Sequence, residues 1–224
     1  MAVDLPEAVA QFRSGYRAHE IPRGYRGGVH AAVTFGGGSL ALALCLAQLE
    51  PVRAWEWLAV PLAFLYANLA EYVGHRWPMH RPVRGLGLVY RRHAGQHHRF
   101  FHAEAMALES ARDLRAVLFP PLLVVFFFGV FGIPLWLLLA WLLSTNVAWL
   151  FLATGLGYFL SYELLHLSHH APAGSWPTRR RWLGRLRRLH RDHHDPAWMT
   201  RANFNITWPI CDAVFGTLRH RDGG

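Results

Sequence analysis

Residues 118–167 read LFPPLLVVFFFGVFGIPLWLLLAWLLSTNVAWLFLATGLGYFLSYELLHL, with one acid, Glu163, and no arginine or lysine. A bilayer core about 30 Å thick is crossed by roughly 20 apolar residues, so this run is too long for one span and suits two. Glycine and proline at Gly132-Ile133-Pro134 place the split there, giving spans over 116–133 and 135–166. Upstream, 29–49 is uncharged and ends at Glu50-Pro51, and 54–75 is mostly apolar through Ala70 and runs on through Glu71 to His75. A chain of 224 residues could not build a polar shell thick enough to cover four such runs. The expectation is an all-α integral membrane protein with four transmembrane helices. A polar arm over 1–28 precedes a single membrane domain over 29–220, and 221–224 form a short tail.

Charge orients the spans. The 23 basic residues are all arginine and concentrate in the arm, in 76–115 and in 179–221, while the two short turns between paired spans hold only Arg53. Excess basic residues mark the cytoplasmic side, so both termini and the middle segment are expected in the cytoplasm, in agreement with an even number of spans. The arm carries Arg13, Arg17, Arg23 and Arg26 without a continuous apolar core, so it does not read as a cleaved signal peptide. The net charge of +9 comes without a basic helix or aromatic motif suited to nucleic acid, so contact with anionic lipid headgroups is its expected use. Alanine- and arginine-rich composition without lysine points to a high-GC bacterial genome and a bacterial cytoplasmic membrane. Cys45, in a span, and Cys211, in a cytoplasmic segment, stand where no structural disulfide is expected.

Histidines dominate what remains polar. Of 15, most fall in His75/His80, His93/His97/His98, His166/His169/His170 and His190/His193/His194, each at or just beyond the end of an apolar run. On a helix, residues four apart share a face and the adjacent one is turned by about 100°, so an HxxHH or HxxxHH segment can serve one metal or two adjacent ones. His75 and His80, five apart, diverge on an unbroken α-helix. Pro78 is expected to end that helix and let His80 fold back. Imidazole suits iron, zinc, copper and nickel, whereas magnesium and calcium prefer oxygen. So many imidazoles exceed one zinc site and fit two metals of higher coordination.

In combination, His75-x4-His80, His93-x3-His97-His98 followed by Arg99-Phe100-Phe101, Glu163-x2-His166-x2-His169-His170 and His190-x2-His193-His194 resemble the integral-membrane fatty acid hydroxylase and sterol desaturase-like superfamily. Asn203-Phe204-Asn205-Ile206-Thr207 and Asp212-Ala213-Val214-Phe215-Gly216-Thr217 are similar to its C-terminal signature. The resemblance spans roughly residues 30–220. It implies a cytoplasmic helical cap carrying a histidine-rich dimetal site, with two irons in the working enzyme, replaceable by zinc in purified protein. It also implies a di-iron monooxygenase that activates O2 and hydroxylates a C–H bond of a lipid such as a fatty acyl chain. The implied ligands are His75, His80, His93, His97, His98, His166, His190, His193 and His194, together with His169 or His170. Helical spacing from His166 favours His170, at i+4. Desaturation or another oxidation at the same site is a second reading, and a non-enzymatic metal transporter a third.

Glu71, Glu163, Asp195 and Asp212 are candidate carboxylates for orienting histidine rings. The chain has no glycine-rich dinucleotide fingerprint and no cysteine cluster, so electrons are expected from a separate ferredoxin or b-type cytochrome with its reductase. Arg187, Arg188 and Arg191 could dock such a donor if it is acidic. The oxidised lipid and the position attacked are not legible.

Overall fold

A computed structural model describes residues 6–220; the tail at 221–224 and the first five residues of the arm lie outside the described residues. Among these residues the fold is helical, without a strand, and its one isolated β-bridge joins His102 and Ala105. Helix α1 is Glu7–His19 and α2 is Gly27–Leu46. Helix α3, Ala59–Gly74, is entered by a 3-10 turn at Ala54–Leu58 and leaves through a π-helical turn at His75–Met79. Helix α4 begins at Gly87–Tyr90, widens into a π-helical stretch at Arg91–His97 and closes as His98–Phe100. Helix α5, Ala111–Leu142, is interrupted at Pro120-Pro121. Helices α6, Thr145–His169, α7, Arg181–His193, and α8, Ile210–Val214, complete the order.

Three helices, α2, α5 and α6, are long and apolar enough to cross a membrane. The α5/α6 break falls at Leu143-Ser144, not at Gly132–Pro134 as expected. A π-helical turn at Phe128–Gly132 widens the helix just ahead of Pro134, which then starts the next α-helical stretch, Ile133–Leu142, without ending the helix. Leu143, at φ −123° and ψ −83°, leaves the helical region. The Ser144 hydroxyl then accepts the Val147 N–H at 3.2 Å, an N-cap for α6.

Two compact units divide the chain. One comprises residues 28–67 and 118–163. Its surface is apolar: Leu122, Val125, Leu137 and Trp141 are exposed, and only 6% of the most apolar window of α5 is buried. Such a surface suits lipid, where exposed hydrocarbon costs nothing. Its small core joins Cys45, Ala153 and Leu156 with Leu42, Phe128, Trp149 and Leu152. Gly38 lets α2 approach α6, since a Cβ there would sit 2.7 Å from a Leu160 methyl. Buried Glu56 accepts from the Arg53 N–H at 2.7 Å, Ser144 Oγ at 2.5 Å and Asn146 Nδ2 at 3.2 Å, which joins the turn before α3 to the start of α6.

The other unit comprises residues up to 27, 68–117 and 164 onward, and holds all four histidine clusters. Tyr16 and Ile21 from the arm pack with Phe100, Phe101, Met106, Ala116 and Val117 in its main core. Tyr72, Phe204 and Cys211 form a second, smaller one.

Candidate metal centre

The π-helical turns bring the ligand-type residues together. An i→i+5 ladder returns residue i+5 over residue i, which an α-helix does not. His75 and His80 accordingly stack, with ring centroids 5.2 Å apart and planes 23° from parallel, although Pro78 sits inside the turn. The helix ends at Met79, one residue after Pro78, and its widening in this last turn supplies the convergence. In the π-helical stretch of α4, His93 stacks on His97 at 5.2 Å and meets His98 edge-on at 4.6 Å.

Ring nitrogens gather into two groups. His75, His80, His93, His98 and His193 form one, and His97, His170, His190 and His194 form the other, all buried. In the first, Nε2–Nε2 separations are 2.9 Å for His75/His93, 3.0 Å for His93/His98 and 3.0 Å for His80/His193. In the second they are 3.0 Å for His170/His190 and 3.1 Å for both His190/His194 and His97/His194. His166 Nε2 joins at 3.2 Å from His97 Nε2. The doublets His97-His98 and His193-His194 each send one ring to either group, as neighbours turned about 100° on a helix can do. His98 and His194 stack between the groups at 4.2 Å.

Backbone carbonyls fix the rings. His97 Nδ1 donates to the Ala116 carbonyl at 2.8 Å, His194 Nδ1 to Phe101 at 2.6 Å and His170 Nδ1 to Met106 at 2.9 Å. In the other group His75 Nδ1 donates to Phe204 at 2.5 Å and His193 Nδ1 to Ala202 at 2.8 Å. A carbonyl has no proton to give, so each of these rings carries its hydrogen on Nδ1 and offers a lone pair at Nε2. His97 and His194 thus turn two lone pairs on each other at 3.1 Å, a repulsive contact that a shared cation converts into coordination. Metal–imidazole bonds of about 2.1 Å let nitrogens up to about 4 Å apart share one ion, and the observed separations lie within that reach. Burial pushes the His97 imidazole down to about 3 and that of His193 to about 4, so both are neutral at physiological pH, as ligands must be.

His169 stands apart from both groups. Its Nε2 donates to the Ile206 carbonyl at 2.9 Å, whereas His170, its neighbour, enters the second group. Of the four carboxylates singled out, two act one step removed from the rings. Asp212 accepts the N–H groups of Phe204 at 3.0 Å and Asn205 at 2.6 Å and the Thr217 hydroxyl at 2.6 Å. Glu71 accepts the Ile206 N–H at 2.8 Å and the Thr207 hydroxyl at 2.6 Å. Together they hold the 202–207 loop whose carbonyls orient His75, His193 and His169. Asp195 accepts the Ala197 N–H at 2.8 Å in the turn after the last cluster. Glu163, in the apolar unit, accepts the Phe119 N–H at 3.3 Å. His19 and His220 are exposed, and His30 Nε2 contacts the Phe119 carbonyl at 3.0 Å.

A family model described as fatty acid hydroxylase matches residues 60–217. The chain belongs to the fatty acid hydroxylase family. Its match takes in every clustered histidine and leaves α1 and α2 outside. A comparison with curated proteins gives no match. Among solved structures, one titled full-length scs7p, with only its hydroxylase domain visible, superposes with a TM-score of 0.60 at 20% identity. The alignment covers 86% of this chain and 66% of that one, and it shows a shared fold.

Two features of this fatty acid hydroxylase family member escape its sequence. Carbonyl acceptors have no side-chain signature, and the loop that bears three of them is visible in sequence only as Asn203–Thr207. Asn203 adopts φ +58°, a left-handed conformation that asparagine tolerates. Its side chain binds the Leu189 and Arg219 carbonyls at 3.2 and 3.0 Å and accepts the Arg219 N–H at 2.9 Å. The grip of the arm on the segment after α4 is equally silent in sequence.

Proposed function

We propose that this hydroxylase is an O2-dependent di-iron monooxygenase of the membrane that inserts oxygen into a C–H bond of a lipid such as a fatty acyl chain. The observation that carries the reading is the convergence of nine imidazoles into two adjacent all-nitrogen groups, with His166 against the second and with five of the rings fixed so that their Nε2 lone pairs turn inward. Those ten, His75, His80, His93, His98 and His193 with His97, His166, His170, His190 and His194, are the proposed ligands. An imidazole set of this kind also takes zinc.

These residues would hold two irons, which when reduced and supplied with O2 would provide the oxidising power that no side chain has for an unactivated alkyl carbon. Everything else falls to the chain. The carbonyls of Ala116, Phe101, Met106, Phe204 and Ala202 hold the Nδ1 protons of His97, His194, His170, His75 and His193 and fix their tautomer, which keeps those five Nε2 atoms available. The net reaction consumes a C–H bond, O2, two electrons and two protons, and yields an alcohol and water. Electrons come from a separate ferredoxin or b-type cytochrome with its reductase.

Helices α2, α5 and α6 are proposed to span a bacterial cytoplasmic membrane, with α3 and its flanking turns as a fourth span. The arginine distribution supports cytoplasmic termini and a cytoplasmic helical cap for the metal centre. The test is lipid mass spectrometry on cells expressing the wild type or His170→Ala under oxygen-18 gas. The proposal expects lipids that gain one labelled oxygen in the wild type alone. Loss of two hydrogens without label would identify a desaturase, and no lipid change would remove the oxygenase.

A further inference from the structure

The two nitrogen groups are oriented by different parts of the chain. Carbonyls for the five-histidine group come from Ala202 and Phe204, in the loop held by Asp212 and Glu71. Carbonyls for the His97/His170/His190/His194 group come from Phe101 and Met106, in the segment between α4 and α5, and from Ala116, in the first turns of α5. The Leu108 N–H of that segment also donates to the His170 carbonyl at 2.8 Å.

The arm clamps this second segment. Arg13 of α1, 2% exposed, donates through Nε to the Phe100 carbonyl at 2.8 Å, through Nη2 to the Ala105 carbonyl at 2.5 Å and through Nη1 to Glu109. Its guanidinium lies 4.9 Å from the Phe100 ring centroid and 5.4 Å from that of Phe101. Arg17, one turn on, pairs with Asp113 at 2.8 Å and Glu109 at 2.7 Å. Phe101, Met106 and Ala116, which carry the three carbonyls, pack in one core with Tyr16 of α1.

We propose that the N-terminal helix, which the family match does not include, is a positioning element for one metal of the pair, with Arg13 as its anchor. Arg13 touches no ligand. It locates the carbonyls that set the tautomer and direction of His97, His170 and His194, and a buried fork of three donors to three acceptors is a geometry that lysine cannot reproduce. The inference rests on the dimetal reading of the site, and the experiment separates the two.

The test is Zn2+ titration of metal-free, detergent-purified full-length protein, read as stoichiometry and affinity. The wild type should take two ions per chain. Arg13→Lys should weaken one step tenfold to a hundredfold and leave the other unchanged, in line with the effect of losing partners that orient metal ligands. In a His193→Ala background, which damages the five-histidine group, Arg13→Lys should still weaken the remaining step; in His194→Ala it should change nothing further. Glu109→Gln, at a half-exposed partner, gives a milder version of the same selective loss if Arg13→Lys folds poorly. Equal weakening of both steps, or none, would overturn the clamp while leaving the dimetal site intact. A wild type that takes fewer than two ions would overturn the dimetal reading and the clamp with it.

Discussion

Acid should unfold the metal-free chain far earlier than a protein with surface histidines. Burial lowers the imidazoles of His80 to about 2, His97 to about 3 and His193 to about 4, against 6.5 when exposed. The unfolded chain therefore takes up protons below pH 6.5 that the folded chain refuses, so stability is full above that pH and falls as pH drops toward the folded values. Each such histidine loses about 1.4 kcal/mol per pH unit, or about 2 kcal/mol between pH 6.5 and 5. Three together lose about 6 kcal/mol, comparable to the whole stability of an ordinary domain, about 5–15 kcal/mol. Burial pushes His98, His170, His190 and His194 down as well, which steepens the fall. Tryptophan fluorescence melts of metal-free protein in detergent at pH 7.5 and 5.0 read this directly, with 10 tryptophans as reporters. The midpoint should drop by roughly 10–25 °C or folding should be lost at pH 5. Equal midpoints at the two pH values would refute the reasoning, because the rings would then be titrating as if exposed.

Other substitutions probe single contacts. His169→Ala should keep the metal content of the wild type while His170→Ala lowers it, as read by elemental analysis. Asp212→Asn replaces a buried acceptor of two backbone N–H groups and a hydroxyl, and should cost about 2–4 kcal/mol in a denaturation midpoint. Gly27→Ala should be more damaging than Gly38→Ala. A Cβ at Gly27 would lie 1.8 Å from the Ala111 carbonyl oxygen, which is backbone, whereas at Gly38 it meets a Leu160 methyl that can turn aside; thermal melts of the two variants decide it.

Much of this was legible because apolar length and histidine spacing are both local signals. Residues 118–167 announce two long helices by composition, and the HxxHH doublets announce paired sites by the angle between neighbouring residues. The division between them reads in sequence as Gly132–Pro134 but falls at Leu143-Ser144, because sequence registers proline as a breaker and carries no sign of a π-helical turn that absorbs it. The π-helical turn at His75–Met79, which helps bring His80 back to His75, is equally silent in sequence. Carboxylates were singled out as partners of the rings because their chemistry is visible in a sequence, whereas the acceptors that touch the rings are carbonyls of Ala, Phe and Met, contributed by residue types that advertise nothing. Arg13 read as one more headgroup contact in a basic arm; its burial among Phe100, Ala105 and Glu109 is a tertiary fact.

The measurement that bears most directly on the central claim is metal content per chain after anaerobic purification in detergent, for the wild type, His193→Ala and His194→Ala. Two ions in the wild type, iron-rich, and about one in each variant would match two adjacent groups that lose their sites separately. One ion or none in the wild type, or a count unmoved by either substitution, would contradict a dimetal centre built from these histidines.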